Sequence, residues 1–307
     1  MVVFHGFDEF HPLPRPIAAA IGIFDGVHLG HRRILARLIG LAGRRDLSSL
    51  VLTFNPHPER VLGKKALRMI DTPEQRLDHL RQSSVDAVLV VRFDRAFSEL
   101  SGPEFVERIL RDRLGVREVV VGRNFRFGRR RRCDTARLQE LGRAAGIRVH
   151  IVPPEVMGGV VVSSTAVRPL LLHGRVEEAA RFLGRPYEIA GLVVPGLSRG
   201  RRLGAPTANL QTKNEILPDG VFITETVWKG RTYPSVTSIG INPTFGRHPL
   251  SVETHILDRR LRLDGACLTV RFLRKIRPTR KFSGPGPLAA RIRQDIEAAR
   301  AHFLRPS

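Results

Sequence analysis

An apolar run from Ile17 to Phe24 stops abruptly at Asp25-Gly26, and an amphipathic segment carrying Ile34, Leu35, Leu38, Ile39 and Leu41 follows it closely. A short apolar run bounded by turn residues reads as a buried strand, and apolar spacings of three and four read as one face of a helix. The junction between them is the string I-G-I-F-D-G-V-H-L-G-H, Ile21 to His31. It puts two histidines and the glycines Gly26 and Gly30 where a strand hands over to a helix. The first N–H groups of a helix lack intrahelical partners and carry partial positive charge, so such a junction attracts phosphate. His28 and His31 add donors able to follow negative charge as it develops at phosphorus. Gly30 lets backbone approach a ligand where a Cβ would obstruct it. An isolated H-x-G-H string reads equally well as a solvated loop.

The alternation continues through the first half of the chain. Strands are expected at Ile17–Phe24, Ser49–Phe54, Ala87–Phe93, Glu118–Gly122 and Val149–Val152, with helices starting near Arg32, Thr72, Gly102 and Asp134. Thr72 followed by Pro73 supplies an N-cap and a first-turn proline. This order implies a parallel sheet with crossover helices, an α/β domain whose ligands bind beyond the carboxyl ends of the strands. Helices are also expected at Thr165–Leu172 and Val176–Leu183. The pattern then changes after Gly184-Arg185-Pro186. Five β-like segments follow, Ile189–Val194, Val221–Trp228, Thr232–Ile239, Val252–Leu257 and Leu268–Arg274, with a tight hairpin at Lys229-Gly230. A final helix carries Leu288, Ile292, Ile296 and Ala299 as its apolar stripe, beyond a Gly/Pro loop at Phe282–Pro287. The second half therefore reads as a small antiparallel barrel with a C-terminal helix, and the domains as 1–184 and 185–307.

Composition narrows the class further. The chain has 307 residues, 42% hydrophobic and 26% charged, which fits two ordinary globular domains. No apolar run is long enough to span a bilayer, and the N-terminus has no signal-peptide pattern. Cys133 and Cys267 are far apart and form no C-x-x-C unit, which fits a reducing cytoplasm. The formal charge of +22 comes mostly from arginines spread along the chain. Its one dense cluster, Arg129 to Arg132, reads as a solvated or phosphate-facing loop, and no nucleic-acid-binding signature accompanies it.

Five further strings carry candidate chemistry. Thr53-Phe54-Asn55-Pro56-His57-Pro58 follows the second strand; its prolines order a loop and restrict His57, which is either part of that loop or aimed at a ligand. Gly122-Arg123-Asn124-Phe125-Arg126-Phe127-Gly128 follows the fourth strand, with one of its aromatics expected to pack. In Val162-Ser163-Ser164-Thr165-Ala166-Val167-Arg168 the hydroxyls suit helix capping, and an arginine in the first turn can reach a phosphate oxygen in a bidentate way. Gly200-Arg201-Arg202-Leu203-Gly204-Ala205-Pro206-Thr207-Ala208-Asn209 reads as a turn, or as a loop that wraps phosphates with Thr207 and Asn209 as hard oxygen ligands for Mg²⁺. Asn242-Pro243-Thr244-Phe245-Gly246 leads into Val252-Glu253-Thr254-His255-Ile256, an alternating strand that puts Glu253 and His255 on one face and Val252, Thr254 and Ile256 on the other.

Taken together, these strings resemble the signatures of the prokaryotic bifunctional riboflavin kinase/FAD synthetase family, in order and over essentially the whole chain. F-D-G-V-H-L-G-H is similar to that family's nucleotidylyltransferase signature, V-S-S-T-A-V-R to its second signature, and G-R-R-L-G-A-P-T-A-N to its flavokinase signature. The resemblance implies a Rossmann-like nucleotidylyltransferase domain followed by a flavokinase-type barrel. It implies phosphorylation of riboflavin by Mg·ATP to FMN, then adenylylation of FMN by a second ATP to FAD and pyrophosphate. It assigns Glu253 as the base for the riboflavin hydroxyl, and His28, His31 and Arg168 to adenylyl transfer. Gly26, Gly30, Ser164, Thr165, Gly200 and Gly204 would meet ATP phosphates. His57, Asn124, Phe125 and Arg126 would meet the flavin, and Thr207 and Asn209 the metal. The chain departs from the family at Cys133, Ala166 and Ala205, so a monofunctional form with one site degenerate stays open, as does a basic nucleic-acid-binding protein.

Overall fold

The structure is a computed structural model and describes residues 1–63, 67–196, 205–240, 250–259 and 261–304. It divides into two compact units, Met1–Ser164 and Thr165–Ser307.

The first unit is built on a six-stranded parallel sheet. In chain order its elements begin with β1 (Val2–His5), β2 (Ile17–Ile21), α1 (Leu29–Arg44), β3 (Ser48–Asn55), α2 (Pro58–Val61), α3 (Pro73–Arg81) and β4 (Ala87–Arg92). They continue with α4 (Arg95–Ser98), α5 (Gly102–Glu104) running into a π-helical stretch at Phe105–Arg113, β5 (Val116–Gly122), α6 (Thr135–Ala144) and β6 (Arg148–Val152). A two-stranded ribbon, β7 (Val156–Met157) with β8 (Val160–Val161), precedes α7 (Ser164–Leu172). The strand order is β1-β4-β3-β2-β5-β6. From β2 the chain builds outward through β3 and β4, then crosses back to add β5 and β6 on the other side. The carboxyl end of β2 is therefore the topological switch point, where open parallel sheets place their ligands.

All of β2 is buried, and its small residues explain the packing. Ala18 and Ala20 face α1 with Leu35, Leu38 and Leu41, while Ile17, Ala19 and Ile21 face a second core with Leu50, Leu52, Phe105 and Leu110. Thr72 caps α3 in a full capping box with Gln75, as its sequence suggests. Two boundaries differ from expectation. β2 ends at Ile21 because Phe24 takes a left-handed backbone, which no strand tolerates. The helix begins at Leu29, with His28 as its N-cap. β1 escapes sequence reading because it is four residues long and buries only Phe4.

In the second unit, α8 (Val176–Leu183) precedes a closed barrel of β9 (Tyr187–Val194), β10 (Ala208–Thr212), β11 (Gly220–Trp228), β12 (Arg231–Gly240), β13 (Ser251–Ile256) and β14 (Cys267–Arg277). β10 is the strand that sequence reading missed, because Pro-Thr-Ala-Asn has the composition of a turn. Lys229-Gly230 closes the expected hairpin with positive φ at both positions. Inside the barrel, Thr224, Thr226, Ser235, Thr237 and Thr254 are fully buried and join hydroxyl to hydroxyl across three strands at 2.7–3.4 Å. Satisfied this way, the buried oxygens avoid the cost of an unpaired polar group.

The C-terminal helix α9 (Pro285–Phe303) starts inside the stretch read as a Gly/Pro loop, with proline in its first turn. Its Ile296, Ala299 and Phe303 cover Val221, Ile223 and Val236. Buried Asp295 fixes its position, taking both Arg277 Nε and Nη2 (2.7 Å) and Arg291 Nε (3.1 Å). Removing one partner of a buried ion pair leaves the other uncompensated. Asp295→Ala is expected to lower the stability of the barrel unit by about 3–5 kcal/mol in denaturant unfolding.

Candidate active sites

The strand-to-helix junction of the first unit is a strained turn. Phe24 (φ 55°), Gly26 (φ 79°) and Val27 (φ 33°) all have positive φ. Only glycine adopts that region freely; each of the other two costs on the order of 1–3 kcal/mol. Such strain persists only where the surroundings over-determine it, and here they do. The Ile23 carbonyl accepts Thr53 Oγ1 (3.0 Å) and Arg76 Nη1 (3.2 Å). Asp25 Oδ1 accepts the amides of Ile70 (2.9 Å) and Asp71 (3.3 Å), and its carbonyl accepts Ser164 Oγ (2.8 Å).

The turn delivers both histidines to the first turn of α1. His28 is 6% exposed and its Nδ1 accepts the His31 amide at 3.3 Å. That bond leaves Nε2 as the position able to carry a proton, so the ring can present an N–H donor. The two imidazoles stack with centroids 3.7 Å apart. A Cβ at Gly30 would lie 3.2 Å from the His28 ring and from the Val162 carbonyl oxygen, which explains glycine there. Gly26, His28, Gly30, His31 and Ser164 are thus gathered at one junction. Thr165 and Arg168 continue along α7 in the second compact unit. Because α7 starts at Ser164, Arg168 falls in its second turn rather than its first.

The flavin candidates stand at the same carboxyl edge of the sheet. His57, beyond β3, caps α2 through Nδ1, which accepts the Glu59 amide at 3.1 Å. Beyond β5, Asn124 and Arg126 are exposed and Phe125 is half-buried. Phe125 stacks on Phe127 at 5.6 Å, and Phe127 is the aromatic that packs, against Phe105. Phe93 and Phe97, half-buried and 5.7 Å apart, add apolar ring surface that the motifs did not single out. The arginine cluster is an exposed turn in which Arg129 meets Glu99 (2.6 Å) and Arg131 meets Glu59 (3.9 Å).

In the barrel, three candidates converge. Asn209 of β10 and Glu253 of β13 are cross-strand partners. Thr207, just before β10, donates from Oγ1 to Glu253 Oε2 (3.3 Å), and Ser251 Oγ donates to Oε1 (3.2 Å). The alternation of β13 is the expected one, with Val252, Thr254 and Ile256 buried and Glu253 on the opposite face. Gly196 leaves the space that the Asn209 carboxamide occupies; a Cβ there would lie 1.9 Å from Nδ2. The hydroxyl, carboxamide and carboxylate are all hard oxygen donors, the set that suits a divalent cation shared with phosphates. Gly200, Gly204 and the Asn242–Gly246 string lie outside the described residues.

Known proteins fit both halves. Residues 11–166 match the family model for FAD synthetase, and residues 183–303 match that for riboflavin kinase. A bifunctional riboflavin kinase/FMN adenylyltransferase of Pseudomonas fluorescens is 38% identical over 309 residues, covering 98% of this chain and 97% of that protein. This chain belongs to the bifunctional riboflavin kinase/FMN adenylyltransferase family. The Escherichia coli K12 relative of that name is 37% identical over 286 residues, covering 92% and 91%. A crystal structure described as a macrolide-efflux protein from Streptococcus pneumoniae superposes at a TM-score of 0.89 with 27% identity, covering 98% of this chain and 99% of that one. No helix among the described residues here is long and apolar enough to cross a membrane.

Among the side chains that brace the turn, sequence reading passed over Arg76. Arg76 is 4% exposed; burial pushes its guanidinium below the ordinary pKa, while Asp25 and Asp71 act in the opposite direction. The inward face of α3 is Gln75, Arg76, His79 and Leu80, with Leu77 packed against the same core, so hydropathy marks the two leucines and misses the three buried polar residues beside them. Asp25→Ala removes the acceptor of two backbone amides and one anion beside a buried cation. It is expected to destabilise the first unit by on the order of 3 kcal/mol, read as an earlier first transition in denaturant unfolding.

Proposed function

We propose that the barrel unit phosphorylates riboflavin to FMN and that the α/β unit adenylylates FMN to FAD, each with one ATP. One observation carries the reading: the FAD synthetase match covers residues 11–166, with His28 and His31 inside it, and the riboflavin kinase match covers residues 183–303, with Thr207, Asn209 and Glu253 inside it.

In the first step, Glu253 takes the proton of the riboflavin 5′-hydroxyl as its oxygen bonds to the γ-phosphorus of ATP, and ADP leaves. Thr207 and Ser251 hold the two carboxylate oxygens in place, so the base is oriented before substrate arrives. A divalent cation, which we take to be Mg²⁺, would be held by Thr207 and Asn209 together with ATP phosphates; when bound it offsets the charge of the transferring phosphoryl group.

In the second step, a phosphate oxygen of FMN attacks the α-phosphorus of ATP, the bond to the β-phosphate breaks, and pyrophosphate leaves. The nucleophile is already anionic, so no base is required. His28 and His31, with the N-terminal amides of α1, stabilise charge on the α-phosphoryl group and the departing pyrophosphate. The family resemblance also assigns Arg168 and Thr165 to ATP phosphates in this step. His57, Asn124, Phe125 and Arg126 receive the flavin, with the rings of Phe93 and Phe97 as apolar backing.

Two substitutions separate the steps. His28→Ala is expected to lower FAD formation from FMN by on the order of a hundredfold or more, the cost of a lost transition-state donor. FMN formation from riboflavin should stay within about twofold, since the base acts elsewhere. Glu253→Gln should lower FMN formation by about 10²- to 10⁴-fold and leave FAD formation from supplied FMN unchanged. Both rates are read by chromatography of the flavins. Equal loss of the two activities in either variant contradicts a two-site enzyme.

A further inference from the structure

The adenylyl-transfer turn rests on a buried cation that no step of the proposed chemistry uses. Arg76 is 4% exposed, too deep to meet a substrate directly. Its Nη1 reaches the Ile23 carbonyl at 3.2 Å, one residue before the positive-φ stretch Phe24–Val27 begins. Its charge is flanked by Asp25 and Asp71, both buried. Asp25 belongs to the turn itself, and through its side chain it ties down the amides of Ile70 and Asp71. His79 Nε2 stands 3.7 Å from Asp71 Oδ1. One side chain therefore grips the turn by a carbonyl and balances two carboxylates, one of which is also part of the turn.

We propose that Arg76 is a positioning residue for adenylyl transfer, holding the Ile23–Val27 turn in the conformation that presents His28 and the α1 amides to ATP. The proposal rests on assigning FAD formation to the α/β unit. Its physical basis is the positive-φ backbone. Phe24 and Val27 relax to ordinary φ unless something holds the carbonyl and carboxylate on either side of them. Thr53 Oγ1 donates to the same Ile23 carbonyl at 3.0 Å, so the grip is shared between an arginine and a hydroxyl. A relaxed turn moves the first turn of α1, and with it the phosphate-facing donors. Small displacements of such donors are costly to catalysis.

The test uses the full chain and compares Arg76→Met, Arg76→Lys and Thr53→Val. Steady-state FAD formation is measured at varied ATP and varied FMN, with riboflavin phosphorylation in the same preparation as the internal control. Arg76→Met is expected to raise KM for ATP about tenfold and to lower kcat by about ten- to a hundredfold, with KM for FMN unchanged. Arg76→Lys, which keeps the charge and one donor, should restore KM for ATP to within about threefold of the parent. Thr53→Val should raise KM for ATP about threefold, having lost the weaker, neutral hydrogen bond.

A purely structural role would reduce the amount of active enzyme and leave both KM values in place, and that result overturns the proposal. If Arg76→Met yields no folded protein, Thr53→Val decides: an unchanged KM for ATP overturns the proposal, and a raised one supports it. The underlying assignment fails separately. Should the parent chain make no FAD from FMN, the assignment of the α/β unit is wrong; should it make FAD while Arg76→Met matches it, only the role of Arg76 is wrong.

Discussion

The first unit depends on a turn that its own residues would not choose. Phe24 and Val27 are bulky and hold positive φ. They stay there because Ile23, Asp25 and their partners Thr53, Arg76, Ile70, Asp71 and Ser164 are bonded on every side. Those partners come from β3, α3, the approach to α3 and the start of α7. The sheet order places this turn at the switch point, so the fold and the site are the same arrangement described at two scales. Strain held against a packed frame gives a braced junction between a strand and a helix N-terminus, which suits chemistry that consists of positioning and charge stabilisation.

The barrel solves a different problem with ordinary backbone. A cross-strand pair sets Asn209 opposite Glu253, and hydroxyls from Thr207 and Ser251 fix the carboxylate. Gly196 leaves room for the carboxamide. Closure of the sheet removes free edges and surrounds the buried hydroxyl chain of Thr224, Ser235, Thr237 and Thr254. One unit therefore stores its geometry in a braced turn, the other in strand register.

What the sequence reveals follows from how local each signal is. The parallel sheet, the barrel, the Thr72 cap and the facing of Glu253 are carried by short-range periodicity and capping chemistry, and they are visible without coordinates. The end of β2 is misjudged because Ile23 and Phe24 are apolar, although Phe24 packs from a left-handed turn. β10 is missed because Ala-Asn-Leu-Gln-Thr gains strand character only between β9 and β13. Arg76 is the clearest case. An arginine beside Gln75 and His79 marks a solvent face by composition, yet that face is turned inward to meet Asp25 and Asp71. A buried polar face is legible only when its partners, distant in sequence, are in view.

In the proposed scheme one chain makes FMN in its second half and consumes it in its first. The most direct measurement is a time course of the full chain with riboflavin, ATP and Mg²⁺, with flavins resolved by chromatography. Riboflavin should fall as FMN rises, and FAD should follow after a lag set by FMN. Accumulation of FMN with no FAD would contradict the role given to the braced turn, and FAD formed from supplied FMN with riboflavin left unconsumed would contradict the role given to Glu253.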